Sequence, residues 1–316
     1  VQEHALAKAK TTKFDVPGAT QTYPSGINGS GTTIGTYCVG SCTGWHSFVR
    51  TSDGTISTFD APNATSTLAF GINDAGAITG GYVDSQGGHG FVRAPDGSFE
   101  LFDAPGADST AGVSINANGV IAGGYTVDQM GYGLVRASDG TITTFRVRNG
   151  DTSPQSINDE GLVAGYYDDS LGQHGFLRKP NGSTKIFDPP GSLCTGVSSV
   201  NDKGVVAGSY STIACGNGAC QAFLRATDGT ITLVDPPGSI CSSTANINTG
   251  GSIAGVYYDE EEDSHGYLEV PSGNFKSFNV RGTGITGLGV AGINSSKTVV
   301  GVYFDTTGGH GFVWEP

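Results

Sequence analysis

The sequence predicts an all-β fold, a seven-bladed β-propeller with four antiparallel strands per blade, and three observations carry that expectation. A block of roughly 42 to 47 residues recurs seven times along the 316-residue chain. Glycine is abundant, at 52 residues, while charged residues make up only 14%, a balance that suits many tight turns between short strands rather than helices. The two ends of the chain also fall out of phase with the repeat. A period in the forties with several strand-like segments per unit is the signature of a propeller, because one such unit cannot bury its apolar face alone and must stack on its neighbours.

The repeat runs Ile-Asn-x-x-Gly, an apolar segment ending Gly-x-Tyr, a variable loop, His-x-Phe-x-Arg, Asp-Gly, and Phe-Asp-x-Pro-Gly. The Asn recurs at Asn28, Asn73, Asn116, Asn158, Asn201, Asn248 and Asn294, and the Tyr at Tyr37, Tyr82, Tyr125, Tyr167, Tyr210, Tyr257 and Tyr303. The His position holds His46, His89, Tyr132, His174, Gln221, His265 and His310, and the Phe position Phe14, Phe59, Phe102, Phe145, Phe187, Val234 and Phe278. The second repeat shows the four strands: A over 68–73, B over 77–83, C over 90–94 and D over 98–102. Asn73-Asp74-Ala75-Gly76 predicts a tight A–B turn, capped by Asn and with Gly in the left-handed conformation. Pro95-Asp96-Gly97 does the same between C and D, and Asp103-Ala104-Pro105-Gly106 leads into the next A strand. The A–B and C–D turns are short and uniform, whereas the B–C and D–A connections vary, so one face of the propeller is plain and the other carries the variation. The chain enters on a D strand (12–16) and stops after a C strand (311–314), so the first strand can complete the last blade and remove two open edges. Residues 1–11 are expected as a tail and 12–316 as a single domain.

The string Gly-Ile-Asn-x-x-Gly-x-Ile-x-Gly followed by His-Gly-Phe-x-Arg resembles the HAF-type extracellular repeats of bacterial proteins, over about residues 12–316. The His-Gly-Phe stretch becomes Tyr-Gly-Leu at 132–134 and Gln-Ala-Phe at 221–223. That resemblance implies a propeller and export. It implies no defined activity, and no catalytic residue is carried over from it.

Sixteen basic residues face 29 acidic ones, for a net charge of −13. Such a surface repels phosphate backbones and anionic membranes, so neither nucleic acid nor a membrane is expected as a partner. No stretch approaches the 18 apolar residues of a membrane span, and the start at Val1 is expected to reflect removal of a signal peptide. Six cysteines fit a secreted, extracellular or periplasmic setting. Proximity favours Cys38–Cys42 and Cys215–Cys220, which leaves Cys194 and Cys241, at the same place in successive repeats, to staple two neighbours.

Five of the six histidines occupy the repeat landmark, so they are expected to be structural, bonded to backbone or to a neighbouring blade. The repeated tyrosines are expected in inter-blade packing, and Arg50, Arg93, Arg136, Arg178 and Arg225 in pairing with carboxylates of the D–A turns. The Asp of Phe-Asp-x-Pro-Gly is expected to cap its own turn. Strand A, which lines the axis of a propeller, brings only small or neutral residues such as Ser25, Gln155, Ser198 and Asn246. Acid–base catalysis at the axis needs titratable groups that these strands do not supply.

Function is therefore expected where the repeat breaks, on the variable face. Tyr23, Trp45, Tyr132, Tyr166 and Tyr258 are aromatic departures, and Asp108, Arg148 and Asp151 are charged groups of the D–A loops. Aromatic faces beside carboxylates suit sugars. The run from Asp259 through Glu261 to Asp263 is the candidate Ca2+ loop, against the plainer reading of a solvated acidic rim; no other cofactor is expected. Three functions compete: a non-catalytic module binding an extracellular glycan or protein; a secreted polysaccharide-active lyase or hydrolase using Asp108, Asp151, Tyr23 and Arg148; and a subunit that self-assembles into a filament or surface layer.

Overall fold

The computed structural model describes residues 9–213, 220–282 and 284–316. Every regular element among them is a strand, 28 in all, from β1 (Lys10–Phe14) to β28 (Gly308–Glu315). The strands form a β-propeller. Consecutive strands pair antiparallel in meanders of four, which we number as units by strand A to strand D. Units one to six span 21–59, 66–102, 109–145, 151–187, 194–234 and 241–278, and unit seven joins 287–315 to β1. Unit three is typical: strand A is Ser109–Ile115, B is Ile121–Val127, C is Met130–Arg136 and D is Ile142–Phe145. Units two and three merge into one eight-stranded sheet through a single parallel pair, Ser109 with Gly88, and units four and five through Gln173 with Cys194. The first strand closes the last unit, with Lys10 opposite Glu315 and Phe14 opposite Gly311. Lys10 and Thr11 thus belong to the domain rather than to the expected tail.

The Asn landmark does more than cap its turn. In all seven units Asn Oδ1 accepts from the backbone amide four residues on, at 2.8 to 3.0 Å, which closes the A–B turn. The same side chain's Nδ2 donates to the carbonyl of the next unit's Asn. The series runs Asn28, Asn73, Asn116, Asn158, Asn201, Asn248, Asn294 and back to Asn28, at 2.9 to 3.2 Å. All seven are buried, where an unmade hydrogen bond is costly.

Apolar clusters lie between units: Phe102 and Ala104 of unit two pack with Ile115, Ile121 and Leu134 of unit three, and Phe278 of unit six packs with Val299, Phe312 and Trp314 of unit seven. Tyr82, Tyr167 and Tyr257 sit in such clusters, the inter-unit packing expected of the repeated tyrosines. The repeated arginines behave differently from expectation. They do not reach the D–A carboxylates. Each lies over the strand-D Phe of the preceding unit: Arg50 over Phe14, Arg93 over Phe59, Arg136 over Phe102, Arg178 over Phe145 and Arg225 over Phe187, at 4.6 to 5.2 Å from the ring centroid. A guanidinium on an aromatic face satisfies both its planar apolar surface and its charge at a seam. Where strand D offers Val234 instead of Phe, the next unit has Glu269 in place of Arg.

The histidines also find partners other than those expected. Each packs against the Tyr directly opposite it on strand B, with centroids 4.9 to 5.4 Å apart; His265 and His310 are stacked and the other three tilted. Its Nδ1 contacts the residue after the strand-D Phe of the same sheet: Asp60, Asp103, Asp188, Asn279 or Asp15. In four units Nε2 faces a B–C loop carboxylate, Asp84, Asp169, Asp259 or Asp305. The strand-D Asp is therefore a partner of His rather than only a cap of its own turn. Thr307 bonds, helped by His310, hold the Asp305 carboxyl down to about 2. Burial alone would lower His89, but Asp103 and Asp84 outweigh it and hold the imidazole above its ordinary value.

The disulfides differ from the expected set. Cys38–Cys42 forms across its loop, with Cα atoms 5.0 Å apart. Cys220, however, bonds Cys241, with Cα atoms 4.8 Å apart, so neither Cys215–Cys220 nor Cys194–Cys241 exists. Cys220 leads into strand C of unit five and Cys241 opens strand A of unit six, and Ser242 donates its amide to the Cys220 carbonyl at 3.0 Å. That adjacency of strands from two units decides the pairing, and sequence proximity does not reveal it. Cys194 is disulfide-bonded as well; Cys215 lies outside the described residues.

Two outcomes test this packing. Strand A carries a bulge in every unit, and its carbonyl leans on the strand-B Gly; a Cβ on Gly123 would stand 2.2 Å from the Ala111 carbonyl oxygen, whereas on Gly124 the nearest atom is 3.6 Å away. Gly123→Ala should cost about 2–4 kcal/mol, because the clash is with backbone, and Gly124→Ala less than about 1 kcal/mol, both read by urea denaturation. His89 has a raised folded-state pKa, so its contribution is full below its unfolded value near pH 6.5 and is lost as pH rises through the folded value. His89→Gln should therefore lower Tm more at pH 5.5 than at pH 8.5, as thermal melts at the two values would show.

Candidate functional site

Two concave regions bear on function. The first is the axis. It holds about 300 Å3 and is lined by strand A residues including Ser25, Phe70, Ser114, Gln155, Ser198 and Asn246, with no charged side chain among them. Several of these hydroxyls are already engaged: Ser25 Oγ donates to the Ala69 carbonyl at 2.6 Å and Ser198 Oγ to the Thr244 carbonyl at 2.7 Å. The axis is neutral, as expected, and part of its polarity serves to tie one unit to another.

The second region is a groove of about 450 Å3 between units three and four, on the variable face. It brings together three of the sequence candidates, Tyr132, Asp151 and Tyr166, along with Tyr125, Gln129 and Asp168. Local structure explains the convergence. Tyr125 and Tyr132 stand opposite each other on strands B and C and stack at 5.0 Å, because unit three has Tyr where the other units have His or Gln. Arg146, from the D–A connection, lies over the Tyr132 ring at 5.1 Å and donates Nε to the Gly150 carbonyl. Asp151 opens strand A of unit four, and its Oδ1 accepts from the Gly131 amide of unit three at 3.0 Å, across the seam. Asp151 is also directly opposite Asp168 on strand B. Burial pushes the Asp168 carboxyl above the usual carboxylate range; the Asp151 charge adds to the shift and the Gln173 amide opposes it. The groove thus sets the Tyr166 ring and the Tyr125–Tyr132 pair beside two neighbouring carboxylates.

The remaining candidates lie elsewhere or have other partners. Asp108 closes the rim of unit three, its Oδ2 accepting from the Asp128 amide at 2.7 Å. Arg148 has a left-handed backbone, φ 45°, and acts on Tyr167. Tyr23 stacks on Trp45 at 5.4 Å and touches Phe304 at 6.1 Å, at the seam of units seven and one. Tyr258 is exposed at the end of strand B in unit six. Asp259 accepts from the amides of Glu261 and Asp263 and faces His265, so it caps its own loop. Glu261 and Asp263 are exposed, and no group of three His, Cys, Asp or Glu among the described residues could hold a metal. Tyr125, Gln129, Arg146 and Asp168 were not among the sequence candidates for ligand binding; the usable signal was that Tyr125 and Asp168 stand directly opposite the candidates Tyr132 and Asp151.

No family model matches the chain, and no curated protein does. Solved structures do. Catalytically inactive virginiamycin B lyase from Staphylococcus aureus with quinupristin is 14% identical, with a TM-score of 0.65 over 97% of this chain and 99% of that one. A streptogramin B lyase is 13% identical, with a TM-score of 0.62 over 96% and 97%. The β-propeller domain of the Trilobed protease from Pyrococcus furiosus is 11% identical, with a TM-score of 0.64 over 94% of each chain. At such identities the likeness carries architecture and not chemistry: the chain shares the β-propeller fold of these proteins.

Proposed function

We propose that this chain is a secreted seven-bladed β-propeller, each unit one blade, which binds an extracellular glycan in the groove between units three and four and leaves it unchanged. The observation that carries this reading is the meeting of Tyr132 and Tyr166 with Asp151 and Asp168 in one open groove. Sugars present apolar C–H faces to aromatic rings and hydroxyl edges to carboxylates and amides, and the groove offers both. The disulfides Cys38–Cys42 and Cys220–Cys241 favour an oxidising compartment. No helix among the described residues is long and apolar enough to cross a membrane.

The enzyme reading asked for Asp108, Asp151, Tyr23 and Arg148 in one place. Tyr23 instead packs at the seam of units seven and one, Asp108 and Arg148 have local partners, and the axis brings no titratable group. A binding role needs none of these to converge.

Screening the protein on a glycan array, followed by calorimetric titration with the best oligosaccharide, tests the reading. Tyr132→Ala and Tyr166→Ala should each weaken binding by about tenfold or more, as truncation of an aromatic anchor does, while Tyr258→Ala leaves it unchanged. Absence of any glycan ligand, affinity indifferent to both groove tyrosines, or cleavage of the bound sugar would overturn it.

A further inference from the structure

The seams repeat one more pair of positions on the plain face. One is the second residue of strand D; the other, in the next unit, is the strand C residue opposite the first residue of strand B, such as Arg136, Arg225 or Trp314. Register fixes the equivalence, since Glu100 stands opposite Val92, Thr143 opposite Val135, Lys185 opposite Leu177 and Lys276 opposite Leu268. Between units two and three the pair is Glu100 and Arg136, joined in a salt bridge. Between units six and seven Lys276 lies over the Trp314 ring at 5.7 Å. Between units four and five the pair is Lys185 and Arg225, two cations where another seam has an ion pair.

The C–D turn glycine gives a common reference point. At Gly140, the place a Cβ would occupy is 3.5 Å from both Arg136 Nη2 and Glu100 Oε1. At Gly229, the matching place is 3.4 Å from Arg225 Nη2 and 3.8 Å from Lys185 Nζ. The lysine ammonium therefore stands where the carboxylate stands in the other seam. Arg225 is 2% exposed, and its Nε, like those of Arg50, Arg93 and Arg136, has no hydrogen-bond partner. Its Nη1 donates to the Ala226 carbonyl, and Asp228 acts on it only from beyond ion-pair distance, with its own Oδ1 taken by the Thr230 amide. Among the described residues no carboxylate lies within 4.0 Å of Lys179, Lys185 or Arg225. These three line a groove of about 430 Å3 together with Thr227, while the hydroxyls of Ser183 and Thr184 there donate to Asn181 Oδ1 and the Gly182 carbonyl.

We propose that this groove binds one small oxyanion of the sulfate or phosphate class, which bridges Lys185 and Arg225 as the Glu100 carboxylate meets Arg136. The oxyanion relieves the repulsion of two adjacent cations and makes charge-assisted bonds to both, with the Thr227 hydroxyl at its edge. The net charge of −13 opposes long polyanions at a distance, but a single group in contact is held by pairs well inside the screening length of about 8 Å. The site lies on the plain face, apart from the sugar groove.

The full chain titrated calorimetrically with sodium sulfate and with sodium phosphate, at ionic strength held constant with chloride, tests this. Saturable binding of one ion per chain is expected. Lys185→Glu should lower the affinity by about tenfold or more and, by pairing with Arg225, raise Tm in chloride alone. Lys297→Glu, the same charge change on another turn, should leave binding intact, as should Tyr132→Ala. A sulfated oligosaccharide compared with its unsulfated form distinguishes the source: a Lys185-dependent preference for the sulfated sugar over free sulfate assigns the site to a sulfate ester, and equal affinity assigns it to the free ion. Lack of saturable binding by any of these anions, or binding that survives Lys185→Glu unchanged, would contradict the proposal.

Discussion

Seven buried asparagines join the units on the plain face, and the rest of the structure depends on how they do it. One amide group serves two purposes: its oxygen finishes the unit's own A–B turn and its nitrogen holds the carbonyl of the next turn. Local folding and assembly of the ring are thereby coupled through a single side chain. The last bond of the series, Asn294 to Asn28 at 3.2 Å, joins the last unit to the first across 266 residues. It acts beside the pairing of β1 with β28, so closure is secured both at the axis and at the outer rim.

Given that frame, the seams can vary in chemistry without varying in geometry. Most have Arg over Phe; the fifth D strand has Val234 and is followed by Glu269, and the sixth has Phe278 stacked on Trp314 at 4.3 Å. The variable face has its own lock, in which Tyr, His and Asp from strands B, C and D bind together. Unit three departs from that lock. Its Tyr132 replaces the His, stacks on Tyr125 and turns toward Arg146 and Asp151. The groove that holds the candidates lies where one repeat departs from the others. The same reasoning applies at the seam of units four and five, where Lys185 places a cation at the position that Glu100 fills with a carboxylate.

Much of this was legible from the residues. The landmarks located the four-strand period, and the neutral strand A residues gave the character of the axis. The left-handed turn glycines appear as expected, with Lys297 taking that conformation in unit seven. What was not legible were contacts between residues that only the ring brings together. Cys220 lies beside Cys241 because strand C of one unit abuts strand A of the next, whereas the closer Cys215 invited a local pairing. The arginines looked like partners for carboxylates, but Phe side chains one unit earlier in the sequence occupy that space. Within the site, Tyr132, Asp151 and Tyr166 converge, while Tyr23 and Trp45 stack on each other at a different seam. The aromatics were identified as aromatic groups of the variable face and Asp151 as a charged group of a D–A loop; only the circular order of the units could say which share a groove.

A closed ring has no weak end, and that is the account's central claim. Its most direct test compares Asn294→Ala, which cuts the link between the last and first units, with Asn158→Ala, which cuts an interior one, by urea denaturation of the full chain. Each removes two hydrogen bonds and leaves a turn amide unpaired, while the carbonyl beyond the link keeps the Gly amide of its own turn, so both should lose about 1–3 kcal/mol, equal within error. A loss confined to Asn158→Ala, with Asn294→Ala nearly neutral, would mean that the ring is open at its seam.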